Sequence, residues 1–473
     1  MVDFKSLLSN LPEVKRPLQK NIGFKEKLKW TLIMLVAFFV LSLIPLYGLG
    51  QNSLQQFEQL SIILGATFGS LLSLGIGPLV TASIVLQLLQ GSGIVKFDTT
   101  THEGRAFFQG LQKVLGVFFI IFEGAVYVLM GGLAPNAALA PGSYRTMQLM
   151  LIGQLLVGGL LVMFMDEVVS KWGFGSGISL FIVAGVALQI VVRAFSPLTS
   201  IGTWALGTGG DPVGQVWVFF KSIMSGNLDT AFFAAAAIIA TIIVFIISVY
   251  AQSMKVEIPL SFGRIRGHGI RWPLKFLYTS NIPVILMAAL VANIQLWASL
   301  LESWGRPILG TFTGNVPSSG VVAWLYGPDI VRTLYYSFTS GVFEWRIFMQ
   351  ALAYGGFFVL GSIIFSIFWV QTSGMSAQTQ SKQIMASGLQ IPGFRRDPRV
   401  IEQLLSRYIM PLTVMGGAAI GLLAASADLL GALSRGTGIL LAVMIVYQLY
   451  EHIAQEHMMD MHPALRKIMG GNE

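Results

Sequence analysis

The sequence predicts an all-α polytopic membrane protein with ten transmembrane helices. Of its 473 residues, 54% are hydrophobic and only 11% are charged, which is outside the usual range for a soluble domain. Apolar stretches of about 20 residues, long enough to cross a hydrocarbon core of ~30 Å, recur along the chain. One of these stretches is broken in its middle, and that break points to more than simple membrane anchoring.

The apolar stretches define ten predicted spans: 28–47, 60–90, 111–133, 147–166, 176–195, 231–252, 276–298, 346–370, 408–427 and 437–455. An even number of spans places both termini on one side of the membrane. That side holds 23 of the 30 Lys and Arg residues, and the other side holds the remaining seven: Arg145, Arg193, Lys221, Arg306, Arg332, Arg346 and Arg435. The positive-inside rule therefore predicts cytoplasmic termini and cytoplasmic loops at 253–275 and 371–407.

The second span is interrupted by the sequence GIGP at residues 75–78. The interruption leaves two short pieces, and the second piece starts on Pro78, a residue suited to the first turn of a helix. Irregular backbone at membrane depth is tolerated only where protein or water satisfies its N–H and C=O groups. The break therefore predicts that this segment borders a cavity or a pore.

A weak internal sequence repeat divides the ten spans into two sets of five. The sequence GSGI (175–178) opens the fifth span and GTGI (436–439) opens the tenth, while IGP (76–78) and NIP (281–283) open the second and seventh. With five spans in each half, equivalent helices run in opposite directions. This is the inverted-repeat arrangement, which places a functional path between the halves.

Branched aliphatic residues stand beside two of these openings. Ile76 and Val80 are four residues apart, as are Ile178 and Ile182, so each pair shares one helix face. Ordinary contacts with lipid or with neighbouring helices would explain both pairs. Alternatively, the pairs belong to a ring of aliphatic side chains that seals a channel by excluding water.

The sequence offers little support for catalysis. It contains no cysteine, no phosphate-binding loop, no His-x-x-x-His pair and no nucleophile paired with a base in a known motif, so we predict no enzyme activity, no cofactor and no metal. Glu123 is the one acidic residue that we place well inside a span. A buried carboxyl is costly, so Glu123 is either functional or a hydrogen-bonded contact between helices.

The predicted organisation has five parts. They are a cytoplasmic amphipathic N-terminal segment (1–27), an N-terminal half with spans one to five (28–195), an external loop (196–230), a C-terminal half with spans six to ten (231–455) and a cytoplasmic tail (456–473). In the first part, Phe4, Leu7, Leu8 and Leu11 recur at helical spacing. They predict either a basic helix on the membrane surface or a disordered tail.

Five long segments resemble the SecY family, the pore subunit of the protein-conducting channel, and its archaeal branch most of all. They are GIGPLVTASIVLQLLQGSGI (75–94), WGFGSGISLFI (172–182), VEIPLSFGRIRGHGIRWPLKFLYTSNIPVIL (256–286), GFRRDPRVIEQLLSRYIMPLTVMGG (393–417) and SRGTGILLAVMIVYQLYE (434–451). The resemblance covers all ten spans, from about residue 15 to the C-terminus. It implies two pseudo-symmetric inverted five-helix halves around a central hourglass pore. Unfolded secretory chains would cross through the pore, and transmembrane segments would leave sideways through a lateral gate between the second and third helices and the seventh and eighth.

The resemblance also implies roles for individual residues. The pore ring would be Ile76, Val80, Ile178, Ile182, Ile285 and Leu441, with Leu440 as a possible substitute for the last. A mobile plug helix at about 58–71 would include Ile62, Leu64, Gly65, Thr67, Phe68 and Gly69. The polar cluster of the lateral gate would be Thr81, Glu123 and Asn281.

The partners implied are a small single-span SecE-type subunit, a further small beta or SecG-type subunit, the ribosome, signal sequences and nascent polypeptides, and membrane lipid. Ribosomal RNA would dock on Arg264, Arg266, Arg271, Arg395, Arg396 and Arg399, although these residues would also serve to set topology and bind anionic lipid. Two other classes of protein stay open. An inverted-repeat secondary transporter would need a polar site where the breaks converge, and a non-conducting scaffold or insertase would only shield membrane segments.

Overall fold

The computed structural model describes residues 12–18, 22–52, 65–91, 94–95, 102–199, 203–205, 210–262, 269–279, 282–313, 316–386, 389–390, 398–433 and 436–461. The helices in these ranges are α1 (Phe24–Leu43), α2 (Gly77–Gly91), α3 (His102–Leu129), α4 (Pro141–Trp172), α5 (Gly177–Phe195), α6 (Gln215–Met224), α7 (Leu228–Ser253), α8 (Ile282–Ser303), α9 (Gly320–Trp324), α10 (Ile330–Ser340), α11 (Trp345–Thr372), α12 (Ala377–Ala386), α13 (Pro398–Leu429) and α14 (Gly436–Met461).

Each of the ten predicted spans corresponds to one of these helices. Eight are long and apolar enough to cross a membrane: α3, α4, α5, α7, α8, α11, α13 and α14. The first span is α1, whose first turns carry Lys25, Lys27 and Lys29. The second is α2, whose 15 residues extend about 22 Å, less than a full crossing. The short helices α6, α9, α10 and α12 lie in the connections.

The break in the second span is confirmed. Helix α2 begins at Gly77 with Pro78 in its first turn, and Gly75 adopts a left-handed φ of 53°, which favours glycine. Residues 65–74 form turns, in which Ser70 and Ser73 donate their hydroxyls to nearby carbonyl oxygens. The expected plug helix is therefore absent from the described part of that segment, 65–71, because side-chain hydrogen bonds stabilise turns there.

The 65–74 loop is attached to its surroundings through its backbone. The N–H of Leu46 donates to the carbonyl of Gly69 at 2.8 Å, and the N–H of Leu71 donates to the carbonyl of Ile44 at 3.0 Å. A Cβ atom on Gly158 of α4 would lie 1.9 Å from the carbonyl oxygen of Leu71, so only glycine permits this close approach. Ile62 and Leu64, which we also placed in the plug, lie outside the described residues.

The described residues of the connections form seven short strands: β1 (Leu49–Asn52), β2 (Leu133–Pro135), β3 (Lys255–Phe262), β4 (Gly269–Lys275), β5 (Phe312–Thr313), β6 (Val316–Pro317) and β7 (Leu389–Gln390). β1 pairs with β2, β5 pairs with β6, and the third sheet has the order β4-β3-β7, all antiparallel. In that third sheet Ser261 pairs with Gln390. The two loops that the sequence predicts to be cytoplasmic are thereby joined in one sheet.

Close packing of small residues brings α11 and α13 together. A Cβ atom on Gly421 would lie 2.8 Å from the Cα of Val359, and one on Gly417 would lie 2.5 Å from the hydroxyl of Ser366. Small residues at such positions let two membrane helices approach closely enough for extensive van der Waals contact. This contact fixes α11, one wall of the expected gate, against α13, which belongs to the same C-terminal half.

Residues 12–18, which we call the N-terminal strap, form neither helix nor strand and lie against Lys113 of α3 and the last turns of α4. Lys113 donates to the carbonyl of Pro12 at 2.5 Å and forms an ion pair with Glu167. Glu167 accepts the N–H of Val14 at 2.9 Å, and Lys171 donates to the carbonyl of Val14 at 2.8 Å. The helix expected at residues 4–11 lies outside the described residues.

Candidate pore constriction and lateral gate

The predicted ring residues stand at the starts of four helices. Ile76 directly precedes α2, and its carbonyl accepts the N–H of Val80 at 3.1 Å. The other four lie within the first two turns of their helices: Ile178 and Ile182 on α5, Ile285 on α8 and Leu441 on α14. Five of the six are at most 7% exposed and belong to one buried apolar cluster, against which the half-buried Ile178 packs.

The structure therefore brings the six residues into one apolar region. Leu440 and Leu441 are both buried in it, so burial does not distinguish between them. Aliphatic side chains carry no fixed charge and form no strong hydrogen bonds. A narrow region lined by them excludes water and ions, yet it deforms around a larger object.

A cavity of about 670 Å³ lies between the N-terminal strap and helices α2, α3, α4 and α5. Its walls include Pro17 of the strap, the ion pair of Lys113 and Glu167, and the apolar residues Leu79 and Ile178. Charged groups and the predicted ring residue Ile178 thus line the same cavity.

The described part of the predicted plug lies close to Ile76, one of the predicted ring residues. A Cβ atom on Gly65 would lie 3.9 Å from Cγ1 of Ile76 and 3.8 Å from the ring of Phe38. Gly65 has a φ of 54°, a left-handed conformation that a side chain would strain. Farther along the segment, the ring of Phe68 packs edge-on against Tyr127 of α3.

Two carboxylates, the partly buried Asp166 and the buried Asp428, accept hydrogen bonds from the helices that carry half of the predicted ring. The N–H of Ile178 donates to Oδ1 of Asp166 at 2.9 Å, and the N–H of Thr437 donates to Oδ1 of Asp428 at 2.8 Å. Each donor is the second residue of its helix, α5 or α14, and each acceptor belongs to the preceding long helix, α4 or α13. The contact thus recurs in both halves, at the two places where the sequence repeat occurs.

Asp428 accepts further hydrogen bonds. The hydroxyl of Tyr354 on α11 donates to its Oδ2 at 2.5 Å, and the hydroxyl of Thr437 donates to the same oxygen. Three donors from two helices therefore converge on one carboxylate, the kind of charge-assisted contact that is stronger than a neutral hydrogen bond. Asp428 ties α11 to the helix that carries Leu441.

The polar cluster of the gate is formed by Thr81, Glu123 and Asn293. Oγ1 of Thr81 on α2 lies 3.0 Å from Oε1 of Glu123 on α3, and Nδ2 of Asn293 on α8 donates to the same hydroxyl at 2.9 Å. Glu123 and Asn293 are 3% and 9% exposed. The three side chains link the two sides of the expected gate across an otherwise apolar seam.

Asn293 is a residue that the sequence analysis missed. Asn281, the asparagine we assigned to the cluster, lies outside the described residues and directly precedes α8. The two positions are 12 residues apart in the sequence. Asn293 belongs to the cluster because it lies on the face of α8 that contacts α2. The linear sequence does not reveal which face that is.

The hydroxyl of Thr81 has a single proton to share among three contacts. It lies 2.9 Å from the carbonyl of Gly77, which can only accept, and Asn293 can only donate to it. All three contacts are satisfied at once when Glu123 is a neutral carboxyl that donates to Thr81. Among the described residues Oε2 of Glu123 has no hydrogen-bond partner, which also suits a neutral group better than a buried carboxylate.

The predicted docking arginines are only partly described. Arg264, Arg266, Arg395 and Arg396 lie outside the described residues. Arg271 pairs with Pro259 through the β3–β4 ladder. Arg399 is exposed in the first turn of α13. The loops that carry these six residues meet in the β4-β3-β7 sheet.

Ten membrane helices, a buried apolar cluster that holds the predicted ring residues at four helix starts, and polar side chains that link α2, α3 and α8 define a class, the polytopic membrane proteins. Within that class, residues 70–450 match the SecY family and residues 36–69 match the plug domain of Sec61p. The chain belongs to the SecY family.

Named relatives and solved structures agree with this assignment. The protein translocase subunit SecY of Methanothermobacter thermautotrophicus is 45% identical, over 99% of this chain and 98% of the relative. A solved protein-conducting channel superposes with a TM-score of 0.80 at 40% identity and covers 98% of this chain and 99% of its own. Sec61 from a canine ribosome-channel complex of the endoplasmic reticulum gives a TM-score of 0.76 at 40% identity, with the same coverage.

Proposed function

We propose that this chain is the pore through which unfolded secretory polypeptides cross the cell membrane. The observation that supports the proposal is the buried apolar cluster that holds the predicted ring residues at the starts of α2, α5, α8 and α14. A chain of any sequence must pass, so the narrowest point should offer neither a charge nor a strong hydrogen bond. Aliphatic side chains meet this demand and also hold the permeability barrier at rest. A transporter site for a small polar solute would need fixed polar groups at that point.

Transmembrane segments leave the same pore sideways into lipid, between α2 and α3 on one side and α8 and α11 on the other. The Thr81–Glu123–Asn293 cluster spans this seam. Hydrogen bonds between membrane helices contribute only about 0.6–2 kcal/mol, so the cluster holds the seam without locking it. A sufficiently apolar segment can then separate the helices and move from the pore into the lipid.

Both termini face the cytoplasm in this proposal, because 23 of the 30 Lys and Arg residues lie on that side. The β4-β3-β7 sheet then presents the loops 253–275 and 371–407 as one basic surface for the ribosome. The canine Sec61 of the ribosome-channel complex, at 40% identity, supports this partnership. SecE-type and SecG-type subunits complete the channel, and the energy for transport comes from elongation or another motor rather than from chemistry in this chain.

Site-specific crosslinking during translocation tests the proposal. A photoreactive residue placed at Ile182 should capture a secretory polypeptide arrested in transit, because every segment of the chain passes the ring. The matched control is Ile242 on the lipid-exposed part of α7, where we expect no capture. Equal capture at both positions, or capture at neither with the polypeptide still crossing, would remove the ring from the route.

A further inference from the structure

Exposed aromatic and aliphatic side chains cluster at the end of α11 that carries Trp345. We call four of them the aromatic tip: Phe338, Val342, Phe343 and Trp345. Their exposed fractions are 87%, 63%, 48% and 71%. A contiguous apolar patch of this kind marks an interaction surface rather than ordinary surface scatter.

The tip is held by defined structure. Helix α10 begins after Asp329, whose side chain accepts the N–H of Arg332 at 3.0 Å, and ends at Gly341 in a left-handed conformation with φ 69°. Beyond that turn, the ring of Phe343 stacks on Phe348 of α11 with the ring centroids 4.6 Å apart. The apolar side chains are therefore presented by a capped helix and a ring stack.

Helix α10 contacts α7 through a residue that is not part of the aromatic tip, and the four tip residues stay exposed. Tyr335 donates its hydroxyl to Asp229 of α7 at 2.5 Å and stacks on Phe232 with the centroids 5.4 Å apart. Phe338, one helical turn farther on, extends past these contacts and is the most exposed of the four tip residues. Helix α10 thus packs against α7 through Tyr335, while Phe338 in its last turns stays exposed.

The tip continues a surface that faces lipid. Met349, Leu352 and Leu360 are 56%, 71% and 63% exposed and share one face of α11. Trp345 stands one turn before Met349, directly in line with that face. The 28 residues of α11 extend about 42 Å, longer than a hydrocarbon core of ~30 Å, so its first turn reaches the membrane interface.

We propose that the aromatic tip inserts into the boundary between headgroups and acyl chains in the leaflet at this end of α11. Tryptophan is enriched at that depth, where an amphipathic ring has both an apolar and a wet side. Glu344 and Arg346 beside the tip carry opposite charges, so zwitterionic lipid suffices as the partner. Insertion fixes the depth of α11, one of the helices that line the seam.

Depth-resolved quenching of a single label tests the proposal, and the cysteine-free chain makes the labelling specific. The variants are Phe338→Cys and, as a matched control, Ser340→Cys, an exposed position on the opposite face of α10. Each full-length variant carries the same environment-sensitive dye and is reconstituted in phosphatidylcholine vesicles, some with nitroxide groups near the top of the acyl chains.

We expect the label at position 338 to be quenched by the nitroxide lipid and to be several-fold less quenched by aqueous iodide than the label at 340. Iodide quenching at position 338 as strong as that of a fully solvated dye, without quenching by the nitroxide lipid, would place the tip in water and overturn the proposal. Protection of position 338 from both quenchers would mean that protein covers the tip, and it would overturn the proposal as well.

Discussion

The backbone N–H of Ile178, a ring residue on α5, donates to Oδ1 of Asp166 on α4 at 2.9 Å. The first N–H groups of a helix have no partner within that helix, so an acceptor from outside fixes where the helix starts. Asp428 does the same for α14 through Thr437. The positions of the predicted ring residues on α5 and α14 therefore depend on two carboxylates that are not themselves part of the ring.

Removing either carboxylate should destabilise the fold. We expect Asp166→Ala to lower the free energy of unfolding by about 1–2 kcal/mol, the usual loss for a helix cap. Asp428→Ala should cost more, because three donors lose their acceptor. Thermal unfolding of the purified protein in detergent is the measurement. Asp166→Asn keeps an acceptor oxygen and should unfold near the wild-type temperature. If it unfolds together with Asp166→Ala, the hydrogen bond is not what matters.

Replacing the gate asparagine should stabilise the closed seam. Asn293→Leu loses a hydrogen bond of about 0.6–2 kcal/mol but adds buried apolar surface of about 2 kcal/mol. It also removes an amide that water would solvate in the open state. Integration of membrane segments of graded hydrophobicity is the assay, and the variant should need more apolar segments to reach half-integration.

The same substitution at Asn281 is the comparison, since that residue was our sequence-based assignment. We expect the integration threshold to move with Asn293→Leu and to stay in place with Asn281→Leu. A cysteine pair introduced across the seam between α2 and α8 reports closure independently by oxidative crosslinking, free of background thiols. A threshold that shifts only with Asn281→Leu would assign the gate asparagine to Asn281 instead of Asn293.

Charge reversal on the basic loops should weaken ribosome binding. The quadruple variant with glutamate at Arg264, Arg266, Arg395 and Arg396 loses phosphate contacts, so both the affinity and the slope of its logarithm against salt concentration should fall. Binding curves at several salt concentrations provide the measurement. Arg306→Glu, at the opposite end of α8, controls for net charge and should leave the slope unchanged. An unchanged slope in the quadruple variant would leave these arginines with a role in topology alone.

The N-terminal strap should loosen in acid. The hydrogen bond from Lys171 lowers the pKa of Glu13 below its usual value of 4.5. The contact therefore contributes fully above pH 4.5 and is lost as the pH falls through the lower pKa of the folded state. Because Glu13 is largely exposed, the effect is at most about 1 kcal/mol, or a factor of about five in opening.

Hydrogen exchange of residues 12–18, corrected for intrinsic rates, measures that opening. Glu13→Gln should show the acid-level protection already at neutral pH, with no further change on acidification. If wild type and variant lose protection in parallel, the pH dependence belongs to another group.

Much of the fold follows from local signals in the sequence. Apolar runs of span length predict α3 to α5, α7 and α8 well, since lipid leaves a helix as the favoured way to satisfy an isolated backbone. Gly75 and Pro78 predict where α2 begins, because one permits a left-handed turn and the other suits a first helical turn. The β4-β3-β7 sheet was not predicted, because its third strand comes from a loop more than 100 residues away.

The site was predicted less completely for the same reason. Ring residues could be assigned because they accompany the breaks. Asn293 lies in the middle of an apolar run, where only packing shows which face meets α2. Asp166 and Asp428 cap helices whose first N–H groups lie 12 and nine residues farther along the chain, beyond the reach of a local capping pattern. Each depends on a contact between helices.

Ion conductance of the resting channel tests whether the aliphatic ring seals the pore against ions. In planar bilayers, Ile178→Gly combined with Ile182→Gly should open a continuous leak, because the constriction is widened and wetted. Leucine or methionine at both positions keeps size and apolarity, so those channels should stay closed. If the glycine double variant has the same resting current as the wild type, the aliphatic ring is not the seal.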